Sequence, residues 1–280
     1  MAYSRICVLL TVHNRRETTL RSLESIANQK MSSGDGISTY LVDDGSTDGT
    51  IEAVSSEFPE VRVLHGDGGL YWNGGMRKVF QAAMDDGYDA YIWVNDDCLF
   101  GPDALSRLLA CAEQTAQNHG PSIVVGSMID PRTGRRSYGG IKKREDGLHL
   151  RFDPVIPDEI AALPCDTMNG NFTLIPAAVA EVVGNLDGAF RHQLGDFDYG
   201  LRARKAGFPV FVAPGYYGEC SDNDRAGSWR DPSISLRQRW AQLMSPKGAP
   251  VREWFLYTRR HFGWRWPLYA ASPYLKCLFN

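Results

Sequence analysis

Three closely spaced acidic groups are the residues best suited to chemistry: Asp43-Asp44, Asp96-Asp97, and Asp196 with Asp198 two residues on. Carboxylates this close raise one another's pKa unless a cation or a donor network compensates. Hard oxygen ligands with no His/Cys cluster suit magnesium or manganese bridging a diphosphate, and a carboxylate spared from metal binding can act as general base on a hydroxyl. Each group also has a plain competing explanation. Asp96-Asp97 reads equally as a solvated turn after a strand, and Asp196 and Asp198 read as acids in the first turn of a helix, where they suit the macrodipole.

The elements that must position these residues follow from hydrophobic periodicity. A first strand covers residues 6–12. Asn14 with Glu17 three residues later has the form of a capping box opening a helix with Leu20, Leu23, Ile26 and Ala27 on one face. A polar, Gly/Ser-rich loop spans 31–38, strand two is Tyr40-Leu41-Val42, a short helix spans about 50–57, and strand three is 61–64. This β-α-β-α-β order is that of a doubly wound, mostly parallel sheet, whose ligands bind beyond the carboxyl ends of the strands. Asp43-Asp44 and Asp96-Asp97, the latter after the strand Tyr91-Ile92-Trp93-Val94, both fall at such ends, which weakens the simple-turn explanation.

Between them lies Gly66-Asp67-Gly68-Gly69-Leu70-Tyr71-Trp72-Asn73-Gly74-Gly75. Its glycines, Gly74 among them, either let backbone N–H groups approach a ligand or simply loosen a loop. The helix that follows carries Met76, Val79, Phe80, Ala83 and Met84 as a core stripe. Further on, the sequence predicts a helix with Leu105, Leu108, Leu109 and Ala112 on one face, a strand over 121–129, a hairpin or mobile loop between Pro131 and Pro157, and a strand-like stretch over 167–176. A helix through 179–183 and an acidic-start, basic-end helix from about 194 to 207 complete this part.

Several functions are excluded. The segment from Asp44 starts like an EF-hand loop but has Ser55 where a bidentate Glu is needed. The Gly-rich stretch fits neither a dinucleotide fingerprint nor a P-loop. Six scattered cysteines with no C-x-x-C pair argue against zinc knuckles and a disulfide framework and suit a reducing, cytoplasmic setting. The apolar run 6–10 is too short for a secretory signal, and no stretch reaches the length of a membrane span. With 280 residues, 43% apolar and 22% charged, the chain has room for one large α/β domain with an appendage.

The charge is uneven. Residues 225–280 hold ten Lys/Arg against Asp231 and Glu253, a balance of +8, so the remaining 224 residues carry −11 within the overall −3. The same tail bears Trp229, Trp240, Trp254, Trp264 and Trp266. Basic groups and Trp favour a peripheral membrane contact; the competing expectation is a helical subdomain that buries these rings against the main α/β domain or in a homodimer. An acidic body argues against nucleic acid as partner.

Displacing a nucleoside diphosphate from a sugar needs the parts assembled above: a cation for the leaving phosphates and a base for the incoming hydroxyl. The sequence resembles the inverting glycosyltransferases of family 2, which have a GT-A fold. The likeness runs through Val8-Leu9-Leu10-Thr11-Val12-His13-Asn14-Arg15, Leu41-Val42-Asp43-Asp44-Gly45-Ser46-Thr47-Asp48-Gly49-Thr50, Trp72-Asn73-Gly74-Gly75, Trp93-Val94-Asn95-Asp96-Asp97, Gly184-Asn185-Leu186-Asp187 and Asp196-Phe197-Asp198-Tyr199-Gly200-Leu201-Arg202. It covers roughly residues 5–212, and bacterial members that add rhamnose and related sugars to surface polysaccharides look nearest.

By that resemblance Thr11, Asn14, Arg15 and Asp43 contact the nucleoside of a nucleoside-diphosphate sugar, with Asp44 and Gly74 in the same donor-binding set. Asp97 holds a divalent metal, Mn2+ or Mg2+, with Asp96 on the ribose or diphosphate. Asp196 is the catalytic base, and Arg202 orients that region of the donor site. The acceptor is a saccharide or lipid-linked saccharide. The implied division is a GT-A catalytic domain over 1–224, with a nucleotide-sugar half to about 100 and an acceptor half beyond it, and a helical extension over 225–280. Three departures stand out: Asn95 opens the acidic motif in place of an acid, Gly195 precedes Asp196 where the family usually has Glu, and the stretch Tyr217-Gly218-Glu219-Cys220-Ser221-Asp222 lacks the late His that many members give to the metal. The competing expectations are a sugar-phosphate nucleotidyltransferase, disfavoured because Asn14-Arg15-Arg16 leads straight into a helix rather than a triphosphate loop, and a non-catalytic carbohydrate- or partner-binding module on the same fold.

Overall fold

Alternation along the strands decides the layering. In the computed structural model, which describes residues 3–30, 36–146, 149–222 and 226–279, strand β1 (Arg5–Val12) sends Ile6, Val8, Leu10 and Val12 to one face and Cys7 and Leu9 to the other, and all six are buried. Side chains at successive strand positions point to opposite faces, so a strand buried on both sides needs helices on both. Helices α1 (Arg16–Ala27), α2 (Thr50–Glu57) and α4 (Ala104–His119) cover the first face with Leu23, Ile26, Val54, Leu105 and Leu108. Helices α3 (Tyr71–Asp86), α5 (Ala177–Val183) and α6 (Gly195–Lys205) cover the second with Met76, Val79, Phe80, Val179, Tyr199 and Ala203.

The sheet is the doubly wound, mostly parallel one expected, with three strands running against the rest. Strands β2 (Gly36–Asp43), β3 (Arg62–His65) and β4 (Ala90–Val94) run parallel to β1 in the order β3-β2-β1-β4. The path continues through β11 (Phe172–Pro176), β6 (Ile123–Ile129), β12 (Val210–Glu219) and β5 (Leu99–Phe100), with β9 (Leu163–Cys165) paired to β12. β11 is antiparallel to both β4 and β6, while β12 and β6 are parallel. The residues just before β11 therefore arrive at the same edge as the carboxyl ends of β4 and β6.

The stretch between Pro131 and Pro157 contains a hairpin, β7 (Gly140–Asp146) with β8 (His149–Pro154), extended by the two-residue β10 (Thr167–Met168). β10 ends at Met168 and β11 begins at Phe172, so the single strand read over 167–176 is two strands with Asn169–Asn171 between them. Strand two is longer than its apolar core because Gly36–Thr39 pair with Arg5–Val8, although Ser38 and Thr39 are polar. Residues 31–35 of the polar loop lie outside the described residues.

The capping box expected at Asn14 does not form. Asn14 adopts a left-handed φ of 52°, Arg15 occupies the cap position, and no side chain caps α1 from within. Instead Asp48 from the loop after β2 accepts the Arg16 N–H at 3.1 Å, and its other oxygen accepts from Thr50 at the start of α2. Asn14 is diverted across the same gap: its N–H donates to Ser46 Oγ at 2.9 Å and its Oδ1 accepts the Thr47 N–H at 2.7 Å. One loop thus ties down two helix ends.

The C-terminal extension is helical, as expected: α7 (Leu236–Met244), α8 (Val251–His261), a 3-10 turn (Gly263–Arg265) and α9 (Trp266–Phe279). Ser235 and Gln238 form a capping box at α7. Tyr257, Phe262 and Tyr269 pack with Phe190 and Leu201, while Trp254 and Trp266 line the same cluster. Much of the tail's aromatic surface is therefore spent on α6 and the loop before it. Trp264 and Phe279 remain largely exposed, at 78% and 82%.

Candidate active site

One end of the candidate site is built from the carboxyl ends of β1 and β2. Asp43 is buried, its Oδ2 accepts the Ser46 N–H at 3.1 Å, and its Oδ1 has no partner among the described residues. A buried acceptor left unpaired costs about 1–3 kcal/mol, which makes this oxygen a fitting receiver for a ligand's donor. Asp44 has a different task. Its Oδ1 accepts from Gly68 N at 2.8 Å and its Oδ2 from Leu70 N and Tyr71 N at 2.9 and 3.1 Å, so the carboxylate pins the Gly-rich loop. Gly74 likewise gives its N–H to Leu70 O rather than to open space. Thr11 lies against Gly75, where any Cβ would overlap its hydroxyl, so the glycine exists for close packing of β1 on α3.

Arg15 crosses from this end to the acidic turn after β4. Its guanidinium reaches Asp96 Oδ1 at 3.1 Å and Asp97 Oδ2 at 2.9 Å. The solvated-turn explanation fails here, since Asp96 is only 6% exposed. Burial pushes its carboxyl up to about 7, the Arg15 charge opposes this, and Asp97 adds to it. Asp97 Oδ1 faces the Cys220 thiol, which donates to it at 3.3 Å. Asp97, Cys98 and Cys220 each offer one ligand atom, all within 4.8 Å of one another. Asn95 Oδ1 accepts the indole N–H of Trp72 at 2.7 Å, a role an amide oxygen fills without adding a third negative charge.

Asp196 opens α6. Its Oδ1 accepts Phe197 N at 2.8 Å and its Oδ2 accepts Gly170 N at 3.1 Å. Burial raises its carboxyl to about 6 against the lowering effect of these N–H donors, a value suited to a base that must be ionised near neutral pH yet still take up a proton. Gly170 begins the link back to the acidic turn. The next residue, Asn171, accepts the Asn95 N–H and the Cys98 thiol on its carbonyl and donates its amide to Cys220 Sγ at 3.4 Å. The structure therefore brings Asp196, Asp96, Asp97 and Arg15 to one edge of the sheet.

The Gly195 departure has a local cause. A Cβ there would overlap Asn73 Oδ1, and Asn73, completely buried, donates to the carbonyls of Asp187 and Phe190 at 3.0 and 2.6 Å. The space a larger side chain would need holds instead the amide that fastens the loop before α6. Trp72 similarly leaves no room for a side chain at Gly170.

Asp198 is not a helix cap. Leu194 occupies that position, and Asp198 is fully buried. Arg202 Nε donates to its Oδ2 at 2.8 Å, while Arg260 and His261 reach its Oδ1 at 2.7 and 2.8 Å. Burial would raise this carboxyl, but the hydrogen bonds from His261 and Arg202, then Arg260, outweigh it and hold it below its usual value. Burial also lowers His261, against the raising effect of its contact with Asp198. Arg202 spends its other nitrogens on Val183 O and Asn185 O, and in the described contacts it orients α6 rather than facing the donor end. Arg260 and His261 come from the extension and escape sequence reasoning, although the pattern Glu253, Tyr257, Arg260, His261 lies on one face of α8. Glu253, at the start of that face, binds Arg191 Nε at 2.9 Å.

A sequence model described as "Glycosyl transferase family 2" matches residues 7–166, more than half of the chain. The chain belongs to glycosyltransferase family 2. Among curated proteins, this family 2 glycosyltransferase is 24% identical over 262 residues to the N-acetylglucosaminyl-diphospho-decaprenol L-rhamnosyltransferase of Mycobacterium tuberculosis, covering 83% of this chain and 80% of that protein, with the same figures in two strains. Among solved structures, S. aureus TarS matches over 93% of this chain and 44% of its own at a TM-score of 0.58 and 14% identity. Its 1–349 fragment in complex with UDP matches over 93% and 72% at 0.58 and 13%. The fold is thus GT-A, as the resemblance implies.

Proposed function

We propose that the protein transfers a sugar, with inversion at the anomeric carbon, from a nucleoside-diphosphate sugar to a hydroxyl of a lipid-linked saccharide in bacterial polysaccharide synthesis, with rhamnose the favoured sugar. The observation that carries this reading is the placement of Asp196, whose Oδ2 accepts the Gly170 N–H one residue from the asparagine that touches both Cys98 and Cys220. A base so placed removes the acceptor's proton as its oxygen attacks from the side opposite the departing diphosphate. The relative's lipid-diphosphate substrate supports the acceptor class, and its rhamnosyl transfer supports the sugar.

The remaining roles divide along the sheet edge. Asp43, with its free Oδ1, takes a donor from the nucleoside, with Thr11 and Asn14 shaping that end. Arg15 and Asp96 stand at the diphosphate. Asp97 fits a divalent cation, Mn2+ or Mg2+, because one of its oxygens is spent on Arg15 while the other is directed at a second ligand-type atom. When bound, such a cation offsets the charge that develops on the leaving phosphates. Residues to about 100 form the nucleotide-sugar half, 101–224 the acceptor half, and the extension both braces α6 and presents Trp264 and Phe279 for peripheral contact with a membrane bearing the acceptor. No helix among the described residues is long and apolar enough to cross a membrane.

Asp196→Asn tests the central claim. Transfer should fall by three orders of magnitude or about that, while nucleoside-diphosphate binding by calorimetry stays within about twofold, because the amide keeps the shape but cannot take the proton. Turnover like that of the unaltered protein would remove Asp196 from the reaction.

A further inference from the structure

The sequence leaves the third protein ligand of the cation open, and the structure offers a sulfur. Cys220 follows the last residue of β12 and is 1% exposed. Its thiol donates to Asp97 Oδ1 at 3.3 Å, while Arg15 takes the other oxygen of the same carboxylate at 2.9 Å. The Asp97 carboxylate is therefore split between a guanidinium and a sulfur. Asn171 Nδ2 donates to the same sulfur at 3.4 Å, the kind of outer contact that orients a ligand and holds negative charge on it.

The spacing suits a shared cation. Carboxylate oxygen and thiolate sulfur bound to one ion at about 2.1 and about 2.3 Å stand about 3.1 Å apart at a right angle and about 3.6 Å apart at the tetrahedral angle. The observed separation falls between these. Cys98 belongs to the same group of three ligand-type side chains, but its thiol points to the Asn171 carbonyl at 3.4 Å.

We infer that Cys220 Sγ is a protein ligand of the cation held at Asp97. This rests on the metal reading above and deepens it. Binding breaks the S–H bond, releases its proton to solvent and forms a sulfur–metal bond, with no change of oxidation state. A mixed oxygen and thiolate set selects borderline and soft ions, so the site prefers Co2+, Zn2+ or Cd2+ to Mg2+.

The test uses the full chain with Co2+ alone and Cd2+ alone as probes. Near-ultraviolet absorption reports sulfur-to-metal charge transfer, equilibrium dialysis reports binding, and circular dichroism confirms that each variant is folded. The unaltered protein and Cys98→Ser should show the band and release one proton per ion. Cys220→Ser should lose the band, Cys220→His should bind Co2+ without it, and Mg2+ should compete with Co2+ only at roughly tenfold or greater excess. Co2+ bound without a charge-transfer band, a band that survives in Cys220→Ser, or a band lost in Cys98→Ser would each overturn the ligand assignment while leaving a cation at Asp97 standing. Absence of Co2+, Cd2+ and Mn2+ binding to the folded, unaltered protein would overturn both.

Discussion

Arg260→Met is the most informative single change, because it separates the extension's part in stability from its part in turnover. The guanidinium makes two charge-assisted hydrogen bonds of 2.7 Å, one to Asp198 and one to Asp187. Such bonds contribute roughly 1.5–3 kcal/mol each when buried. Asp198 is completely buried, so the inner bond keeps that value, while the outer partner, Asp187, is 28% exposed, and its bond is discounted toward the roughly 0–1 kcal/mol of surface pairs. The total is about 2–4 kcal/mol, which for a chain of this size lowers the melting temperature by about 5–10 °C. Methionine keeps the stem's packing near Phe190. Asp198 retains Arg202 and His261, so the protein still folds, but the first turn of α6 loses one of its three anchors. Asp196 rides on that turn, and kcat should fall about tenfold, equivalent to about 1.4 kcal/mol of barrier, with the donor KM nearly unchanged. Arg260→Lys, which keeps charge without the two-pronged reach, should lie between. Thermal melts and steady-state transfer kinetics read both effects. An unchanged melting temperature would refute the energetic argument, and a lowered one with unchanged kcat would show that the Asp198 network serves folding alone.

Two other expectations come from the same region. Gly195→Ala should destabilise the protein by about 1–3 kcal/mol through overlap with Asn73 Oδ1, and pairing it with Asn73→Gly should give a double mutant less damaged than the sum, by at least about 0.5 kcal/mol in denaturant titration; strict additivity would mean the two residues do not share that space. Because the base must be ionised and burial raises Asp196 to about 6, kcat measured at saturating donor should rise with pH through that value and level off about one unit above it; a flat profile from pH 5 to 8 would assign the proton transfer elsewhere.

The sheet, its acidic strand ends and most helix faces were legible in the sequence because they depend on periodicities of two and about 3.6, which survive without tertiary information. The capping box at Asn14 failed for the opposite reason: Asp48, a residue thirty-two positions from Arg16, competes for the same helix end, and no local pattern records that. Asp44 looked like a ligand group by its place after β2, but three loop N–H groups claim it. The departures at Asn95 and Gly195 are explained only once Trp72 and Asn73 are seen to lie against them. Asp198 read only as a first-turn acid because two of its three partners sit some sixty residues later, in a segment whose charge and aromatics suggested a membrane surface. Cys220 carries no local signal, since only its contact with Asp97, 123 positions away, sets it apart.

β11 acts as a gauge block between Asp196 and the acidic turn after β4. Its register with β4, Phe172 opposite Val94 through Pro176 opposite Ala90, fixes where Gly170 and Asn171 emerge. A slip of one residue would move them by about 3.3 Å along the strand and turn their side chains to the opposite face. Gly170 N–H would then miss Asp196 and the Asn171 amide would miss Cys220, though neither of those residues had been altered. Substitutions deep in β11, remote from any substrate, are thus positioned to change turnover by sliding one half of the site past the other, so a screen for rate-altering variants should sample this strand as densely as the acids themselves.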